Sequence, residues 1–104
     1  MYGKNTKAAL IKAWQKEVGG LTVDGDFGTK SKEAASKIIL KKGSKGILVT
    51  ILQATLTCQG FACAGGIDGD FGSGTHNAVI AFQKKKGLTR DGVVGKNTWS
   101  KLYA

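Results

Sequence analysis

Two pairs of carboxylates are the first candidates for chemistry in this chain of 104 residues, and one glycine separates the members of each pair: Asp24 with Asp26, and Asp68 with Asp70. The same spacing opens a calcium-binding loop, in which a glutamate at the twelfth position completes the ligand set. The twelfth positions here are Ala35 and Val79. The sequence therefore predicts no metal site and no cofactor, and it leaves these carboxylates a structural role.

Groups that could catalyse a reaction are equally scarce. His76 is the single histidine, and we predict it to be exposed on the first turn of a helix. A zinc hydrolase would need several histidine or carboxylate ligands and a general base. Cys58 and Cys63 lack a neighbouring histidine that could activate them. Cys58 falls on a predicted helix and Cys63 in the loop after it, so both are predicted to be free thiols, with a local disulfide as the alternative. The chain is therefore predicted not to be an enzyme.

The carboxylates belong to a motif that occurs three times, an Asp-Gly pair followed after two further residues by a second glycine. Aspartate can accept hydrogen bonds from backbone amides ahead of it, the first glycine can take a positive φ angle, and the second glycine precedes a helical pattern. The motif residues are therefore predicted to form structural turns: Asp24, Gly25 and Gly28; Asp68, Gly69 and Gly72; Asp91, Gly92 and Gly95.

Helical periodicity fills the segments between these turns. Apolar residues recur at intervals of three and four, which predicts five helices, at residues 4–18, 29–41, 45–59, 73–86 and 96–103. Gly60 and Gly87 follow two of these segments and are predicted to end the helices. The alternation that is typical of strands is confined to short loop stretches. The predicted fold class is all-α, with short helices joined by glycine-rich turns.

The chain also contains an internal repeat. Trp14-Gln15 followed by an Asp-Gly turn runs parallel to Phe82-Gln83 followed by another, once small gaps are allowed. We therefore predict two units, a partial first repeat at residues 1–42 and a complete second repeat at residues 43–104. The first unit opens at Tyr2-Gly3, which matches only the end of a turn, so its first helix is missing.

The second unit carries a dense set of family positions in order: Gly43-Ser44-Lys45-Gly46, Leu52-Gln53, Gly60-Phe61, Asp68-Gly69-Asp70-Phe71-Gly72, Phe82-Gln83, Gly87-Leu88, Asp91-Gly92-Val93-Val94-Gly95 and Thr98-Trp99. These positions resemble a peptidoglycan-binding domain of the three-helix type. The resemblance implies a non-catalytic module that binds the bacterial cell wall. It also implies an upstream catalytic domain in a cell-wall hydrolase, such as an N-acetylmuramoyl-L-alanine amidase or a peptidase.

Six residues are candidates for contact with a ligand: Gln53, Asp70, Phe71, Gln83, Asn97 and Trp99. Asp70, Phe71 and Asn97 are expected at the exposed rims of the turns. Two interpretations are open for the glutamines, because their amides could line a shallow groove or could hold the turns by hydrogen bonds. Trp99 is likewise either a platform for a ligand or a core residue.

The formal net charge of +9 suits a polyanionic partner. Peptidoglycan and anionic wall polymers fit this charge. The resemblance to the peptidoglycan-binding domain implies a location outside the cell or in the cell wall, although no export signal is visible. A general polyanion or nucleic-acid-binding helical domain is the alternative. It is less favoured, because Arg90 is the single arginine and no basic recognition helix is evident. The apolar runs are too short to cross a membrane.

Overall fold

The computed structural model describes residues 4–21 and 23–103, so the predicted opening of the first unit at Tyr2-Gly3 lies outside the described residues. It contains five helices: α1 (Lys4–Val18), α2 (Thr29–Ala35), α3 (Ile47–Cys58), α4 (Ser73–Lys85) and α5 (Lys96–Leu102). The described ranges hold no strand, only two isolated antiparallel bridges, Leu40 with Val94 and Lys45 with Asp70. The prediction of an all-helical fold is therefore confirmed.

Two of the helices end as their following glycines predict. Gly60 and Gly87 have positive φ angles of 91° and 71° after α3 and α4. The chain then turns back, so that the Phe61 amide donates to the Leu56 carbonyl at 2.8 Å. The Leu88 amide donates to the Gln83 carbonyl at the same distance of 2.8 Å. Each bond satisfies a carbonyl that the helix end leaves without a partner.

Helix α2 ends at Ala35, whereas the periodicity predicted that it would continue to residue 41. Hydrogen-bonded turns follow through residue 38, and long-range bonds then direct the chain away from the helix axis. The Leu40 amide donates to the Val94 carbonyl at 3.1 Å, and the Val94 amide returns a bond of 2.8 Å to Leu40. The Trp99 Nε1 donates to the Ile38 carbonyl at 3.0 Å. Ile39, expected inside a helix face, is 50% exposed.

The helices pack around one core. Helix α1 packs on α3, α2 packs on α5, and α3 packs on α4. An aromatic cluster joins the two halves of the chain, because the Trp14 ring lies 5.6 Å from the Trp99 ring and 5.0 Å from the Phe27 ring. Tyr103 stacks on Trp99 at 6.0 Å and lies 5.3 Å from Phe27. Such ring pairs add about 0.5–1.5 kcal/mol each beyond the area that they bury.

No helix in the described part of the chain is both long and apolar enough to span a bilayer.

Gly74 in the first turn of α4 provides a test of this packing. Alanine usually stabilises a helix relative to glycine by about 1 kcal/mol. A Cβ at position 74 would instead overlap the backbone of Ala64, which lies in the loop before the turn. We therefore expect Gly74→Ala to lower the free energy of unfolding by about 1–3 kcal/mol, as measured by urea denaturation.

Ser73→Ala at the exposed neighbouring position is the matched control, and it should change stability by less than about 0.5 kcal/mol. If Gly74→Ala were as stable as the parent chain, the loop at Ala64 would not be packed against α4 as described.

Candidate functional site

A buried amide organises the last turn of the chain. Gln83 on α4 is 1% exposed. Its Nε2 donates to the Asp91 Oδ1 at 3.0 Å, to the Val93 carbonyl at 3.0 Å and to the Thr98 hydroxyl at 3.1 Å. Its Oε1 accepts a bond of 3.0 Å from the Gly92 amide. One side chain therefore connects α4, the turn and the start of α5.

A second network has the same construction at the preceding turn. The Gln53 Nε2 on α3 donates to the Asp68 Oδ1 at 3.0 Å, to the Asp70 carbonyl at 3.1 Å and to the Thr75 hydroxyl at 2.9 Å. Its Oε1 accepts bonds from the amides of Asp68 and Gly69 at 3.0 and 2.9 Å. Gln53 is fully buried, so it ties α3 to α4 as Gln83 ties α4 to α5.

The third network lies in the first part of the chain. The Gln15 Nε2 on α1 donates to the Asp24 Oδ1 at 3.1 Å, to the Asp26 carbonyl at 2.9 Å and to the Ser31 hydroxyl at 3.2 Å. Its Oε1 accepts bonds from the amides of Asp24 and Gly25 at 3.2 and 3.0 Å. The described chain therefore uses one arrangement of glutamine, aspartate and hydroxyl at three helix-to-helix connections.

The aspartates of the networks have lowered pKa values: Asp24, Asp68 and Asp91. In each case the largest cause is a backbone amide two residues ahead that donates to the carboxylate at 3.0 Å. The glutamine amide also lowers the pKa, whereas desolvation raises it, and at Asp91 desolvation outweighs the glutamine. These carboxylates are therefore held in their charged form by the turn itself.

The glycines of the turns take the backbone angles that the motif requires. Gly25, Gly69 and Gly92 have φ angles of 75°, 76° and 71°, a region that other residues occupy only with strain. The second glycine of each motif is the residue before α2, α4 or α5. The side-chain amides of Gln53 and Gln83 already hydrogen-bond to these turns. A ligand would therefore have to contact them in addition to those bonds.

Two of the candidate contact residues are buried. Phe71, expected at an exposed rim, is 1% exposed, and its backbone pairs with Ser44 and Gly43 at 2.9 Å. Trp99 is fully buried between Trp14 and Tyr103, which excludes the platform interpretation. Apolar rings of this size are stabilised in the core in preference to a rim. Asp70 and Asn97 are exposed as expected.

A cleft of about 400 Å³ lies beside the last turn, and we call it the C-terminal cleft. Its lining includes Gln83, Leu88, Asp91, Lys96 and Asn97. Leu88 is half-buried and gives the cleft an apolar wall, whereas Lys96 and Asn97 are exposed at its rim. The cleft therefore combines one apolar surface, a cation, a carboxylate and amide groups, a combination that suits a peptide or an amide-bearing sugar.

His76 lies behind this turn and is half-buried, not exposed as predicted. Its Nδ1 is buried and has no hydrogen-bond partner. A Cβ built on Gly92 would overlap the imidazole ring, which shows how closely the ring packs on the turn. His76 therefore supports the Asp91-Gly92 turn by contact and does not stand free for catalysis.

The other reactive side chains give no sign of a catalytic centre. No group of three or more His, Cys, Asp or Glu residues that could hold a metal is found among the residues that the structure describes. Cys58 and Cys63 are free thiols. Burial raises the pKa of the Cys63 thiol, which makes it a poorer nucleophile at neutral pH.

Sequence reasoning did not select three residues that the structure brings to the site: Leu88, Lys96 and His76. Leu88 was visible as the residue after a helix-ending glycine, and Lys96 follows the second glycine of a turn motif. Nothing in the spacing distinguishes either one from the equivalent residues at the other turns. The contact between His76 and Gly92 joins residues sixteen positions apart, and no local pattern signals it.

Comparison with known proteins gives a consistent result. Residues 45–102 match the sequence profile of the family described as "Putative peptidoglycan binding domain". A curated relative from Bacillus licheniformis, "Probable N-acetylmuramoyl-L-alanine amidase", is 38% identical over 103 residues, which are 93% of this chain and 29% of that protein. The chain spans 18–29% of the length of the first three curated relatives that it matches.

Two solved structures are similar to the chain, each with a TM-score of 0.61 over 64% of its residues. One is a peptidoglycan-binding protein from Clostridioides difficile in complex with glutamine hydroxamate, 46% identical and covered over 41% of its length. The other is the SleB N-terminal domain, 40% identical and covered over 90% of its length. The similarity therefore includes both the sequence and the fold.

The lowered aspartate pKa values predict acid sensitivity. A carboxyl whose folded pKa lies below its unfolded value of about 4 contributes stability above that pH, and the contribution is lost as the pH falls through the folded pKa. We therefore expect the melting temperature to fall below about pH 4. The triple variant Asp24→Asn, Asp68→Asn, Asp91→Asn should show a smaller fall. Thermal melts monitored by circular dichroism from pH 7 to pH 2 measure both.

A control with the same change of charge is Asp26→Asn, Asp70→Asn, Glu33→Gln, whose side chains lie outside the networks. This control should keep the acid sensitivity of the parent chain. Equal acid profiles for the two triple variants would contradict a special role for the network aspartates.

The contact between His76 and Gly92 predicts that substitutions at these two positions have non-additive effects on stability. Gly92→Ala combines a strained positive φ with overlap of the imidazole, so it should cost about 2–4 kcal/mol in urea denaturation. In the His76→Ala background the same substitution should cost only about 1–2 kcal/mol. Gly60→Ala, with a φ of 91° and no heavy atom within 4 Å of the added Cβ, measures the backbone cost alone. Equal costs in both backgrounds would show that the ring does not pack on the turn.

Proposed function

Since this chain belongs to the peptidoglycan-binding domain family, we propose that it is a non-catalytic module that binds peptidoglycan and keeps an attached cell-wall hydrolase at its substrate. The match at residues 45–102 carries this proposal. It covers α3, α4 and α5 with both intervening turns, and it includes the C-terminal cleft. The match with the first amidase relative leaves most of that protein without a counterpart in this chain. A catalytic domain joined to the chain would account for the difference.

The C-terminal cleft is the proposed place of contact. Peptidoglycan stem peptides carry amide groups, small methyl groups and free carboxylates. Lys96 offers a cation for a carboxylate, Asn97 offers amide hydrogen bonds, and Leu88 offers an apolar wall for a methyl group. Asp70 is exposed at the preceding turn and stays a candidate for contact from outside this cleft.

The proposal includes a tandem organisation, with a partial unit at residues 1–42 and a complete unit at residues 43–104. The equivalent networks around Gln15 and Gln83 support it, because each connects a helix, an Asp-Gly turn and a hydroxyl on the next helix. The proposed location is the cell wall or the extracellular space. Anionic wall polymers are proposed as additional partners, since the net charge is +9.

A general attraction to polyanions is the alternative, and the same net charge favours it. The two proposals differ in their response to salt, because exposed charges are screened over about 8–10 Å near physiological ionic strength. Binding through a shaped cleft also depends on uncharged contacts. It should therefore persist where binding by charge alone is lost.

Co-sedimentation with insoluble peptidoglycan, stripped of anionic polymers, tests the proposed function. At about 300 mM salt the Debye length lies between about 3 and 8 Å, so exposed charges are strongly screened. Under these conditions we expect retention of the chain and no release of soluble fragments. Lys96→Glu at the cleft should weaken retention about 3- to 10-fold, because it replaces an attraction by a repulsion. Lys101→Glu makes the same change of charge on α5 outside the cleft lining, and it should have little effect.

Three results would contradict the proposal: loss of all retention at this salt concentration, equal retention on DNA, or equal losses for the two lysine variants. The second and third results would favour the polyanion alternative.

A further inference from the structure

The first part of the chain, outside the family match, contains a cleft built like the C-terminal cleft. It has a volume of about 230 Å³, and its lining includes Gln15, Leu21, Asp24, Thr29 and Lys30. Gln15, Leu21 and Asp24 occupy the positions that Gln83, Leu88 and Asp91 occupy in the C-terminal cleft. The match to the family begins only at residue 45, so nothing in that match assigns a role to this cleft.

The floor of this cleft is held by the same hydrogen bonds. The Gln15 Nε2 reaches the Asp24 Oδ1 at 3.1 Å and the Ser31 hydroxyl at 3.2 Å. The corresponding distances from the Gln83 Nε2 are 3.0 and 3.1 Å. Because the buried amides fix both turns in the same way, the two clefts present similar backbone and side-chain groups to a ligand.

An adjoining cleft of about 440 Å³ extends this space, because Leu21 and Lys30 line both. Its other lining residues include Val18, Ala34, Lys37 and Ile38. We call the two adjoining clefts together the N-terminal groove. The residues that line the groove lie at the end of α1, in the turn that follows, and in and just after α2.

The walls of the N-terminal groove determine the chemistry of its ligand. Four apolar residues of the wall are only half-buried, namely Val18, Leu21, Ala34 and Ile38. Lys30 and Lys37 are exposed on the same stretch of wall, with Glu33 between them. The smaller cleft adds the carboxylates of Asp24 and Asp26 to the groove. The groove therefore offers shallow apolar contacts and charges of both signs, which complement a short peptide that carries methyl, carboxylate and ammonium groups.

We infer that the N-terminal groove is a second binding site, for a stem peptide of peptidoglycan, so that one chain binds the wall at two places. This inference rests on the proposed function. The longest extent of the molecule is 32 Å, which limits the distance between the two sites. Once one site is bound to the insoluble wall, binding at the second site is intramolecular, so the overall affinity exceeds that of either site alone.

Titration with soluble disaccharide-tetrapeptide fragments of peptidoglycan tests the inference. Isothermal titration calorimetry should give two fragments bound per chain. Lys30→Glu and Lys96→Glu should each weaken one of the two sites about 3- to 10-fold, and the double variant should weaken both. Lys32→Glu is the matched control on α2, because Lys32 is exposed and does not line the groove. It should leave two fragments bound.

Nuclear magnetic resonance identifies which site each fragment occupies. Fragment binding should shift the amide signal of Gly28, which lines the N-terminal groove, and that of Gly95, which lines the C-terminal cleft. Lys30→Glu should raise the fragment concentration needed for the first shift and leave the second unchanged. On intact wall, Lys30→Glu should lower retention about 3- to 10-fold, as Lys96→Glu does.

The outcomes separate the inference from the proposed function. One bound fragment whose affinity Lys96→Glu lowers, with Gly28 unshifted and Lys30→Glu without effect, would overturn the second site and leave the proposed function standing. Absence of any binding to fragments and to insoluble peptidoglycan would overturn both. Equal losses from Lys30→Glu and Lys32→Glu would show a general charge effect and would overturn the second site.

Discussion

A glutamine amide in an apolar interior must find hydrogen-bond partners, because each unpaired polar group costs about 1–3 kcal/mol. In this chain the partner of Gln83 is the turn that follows its helix, including the carboxylate of Asp91 and the amide of Gly92. The path of the turn, the positive φ of Gly92 and the start of α5 all depend on that requirement. Gln15 and Gln53 impose the same requirement at two earlier connections.

The turns that these amides hold also shape the clefts. Asp91 and Gln83 take part in a network and at the same time line the C-terminal cleft, so the fold and the candidate site share the same groups. A ligand therefore meets a surface whose backbone is already ordered, which limits the entropy lost on binding. Lys96 and Asn97 are exposed at the rim and take no part in the glutamine network, so they can determine which ligand is preferred.

The sequence predicted the features that are encoded locally. Helix α1 and the three helices after residue 43 follow from apolar spacing and from the glycines that flank them. The end of α2 could not be predicted, because Leu40 and Ile38 are held by Val94 and Trp99, more than fifty residues away. Phe71 was expected at a rim, since its turn is exposed, yet the ring itself is buried. The clefts and the packing of His76 on Gly92 arise only when distant segments meet.

The aromatic cluster crosses the boundary of the family match. The match begins at residue 45, but Trp99 inside it is covered by Trp14, and Tyr103 links it to Phe27, so two of these rings lie before the match begins. A fragment cut to the limits of the match would leave an indole face in water and lose the partners of that face. We therefore expect the boundary of cooperative unfolding to lie outside the boundary drawn from sequence similarity.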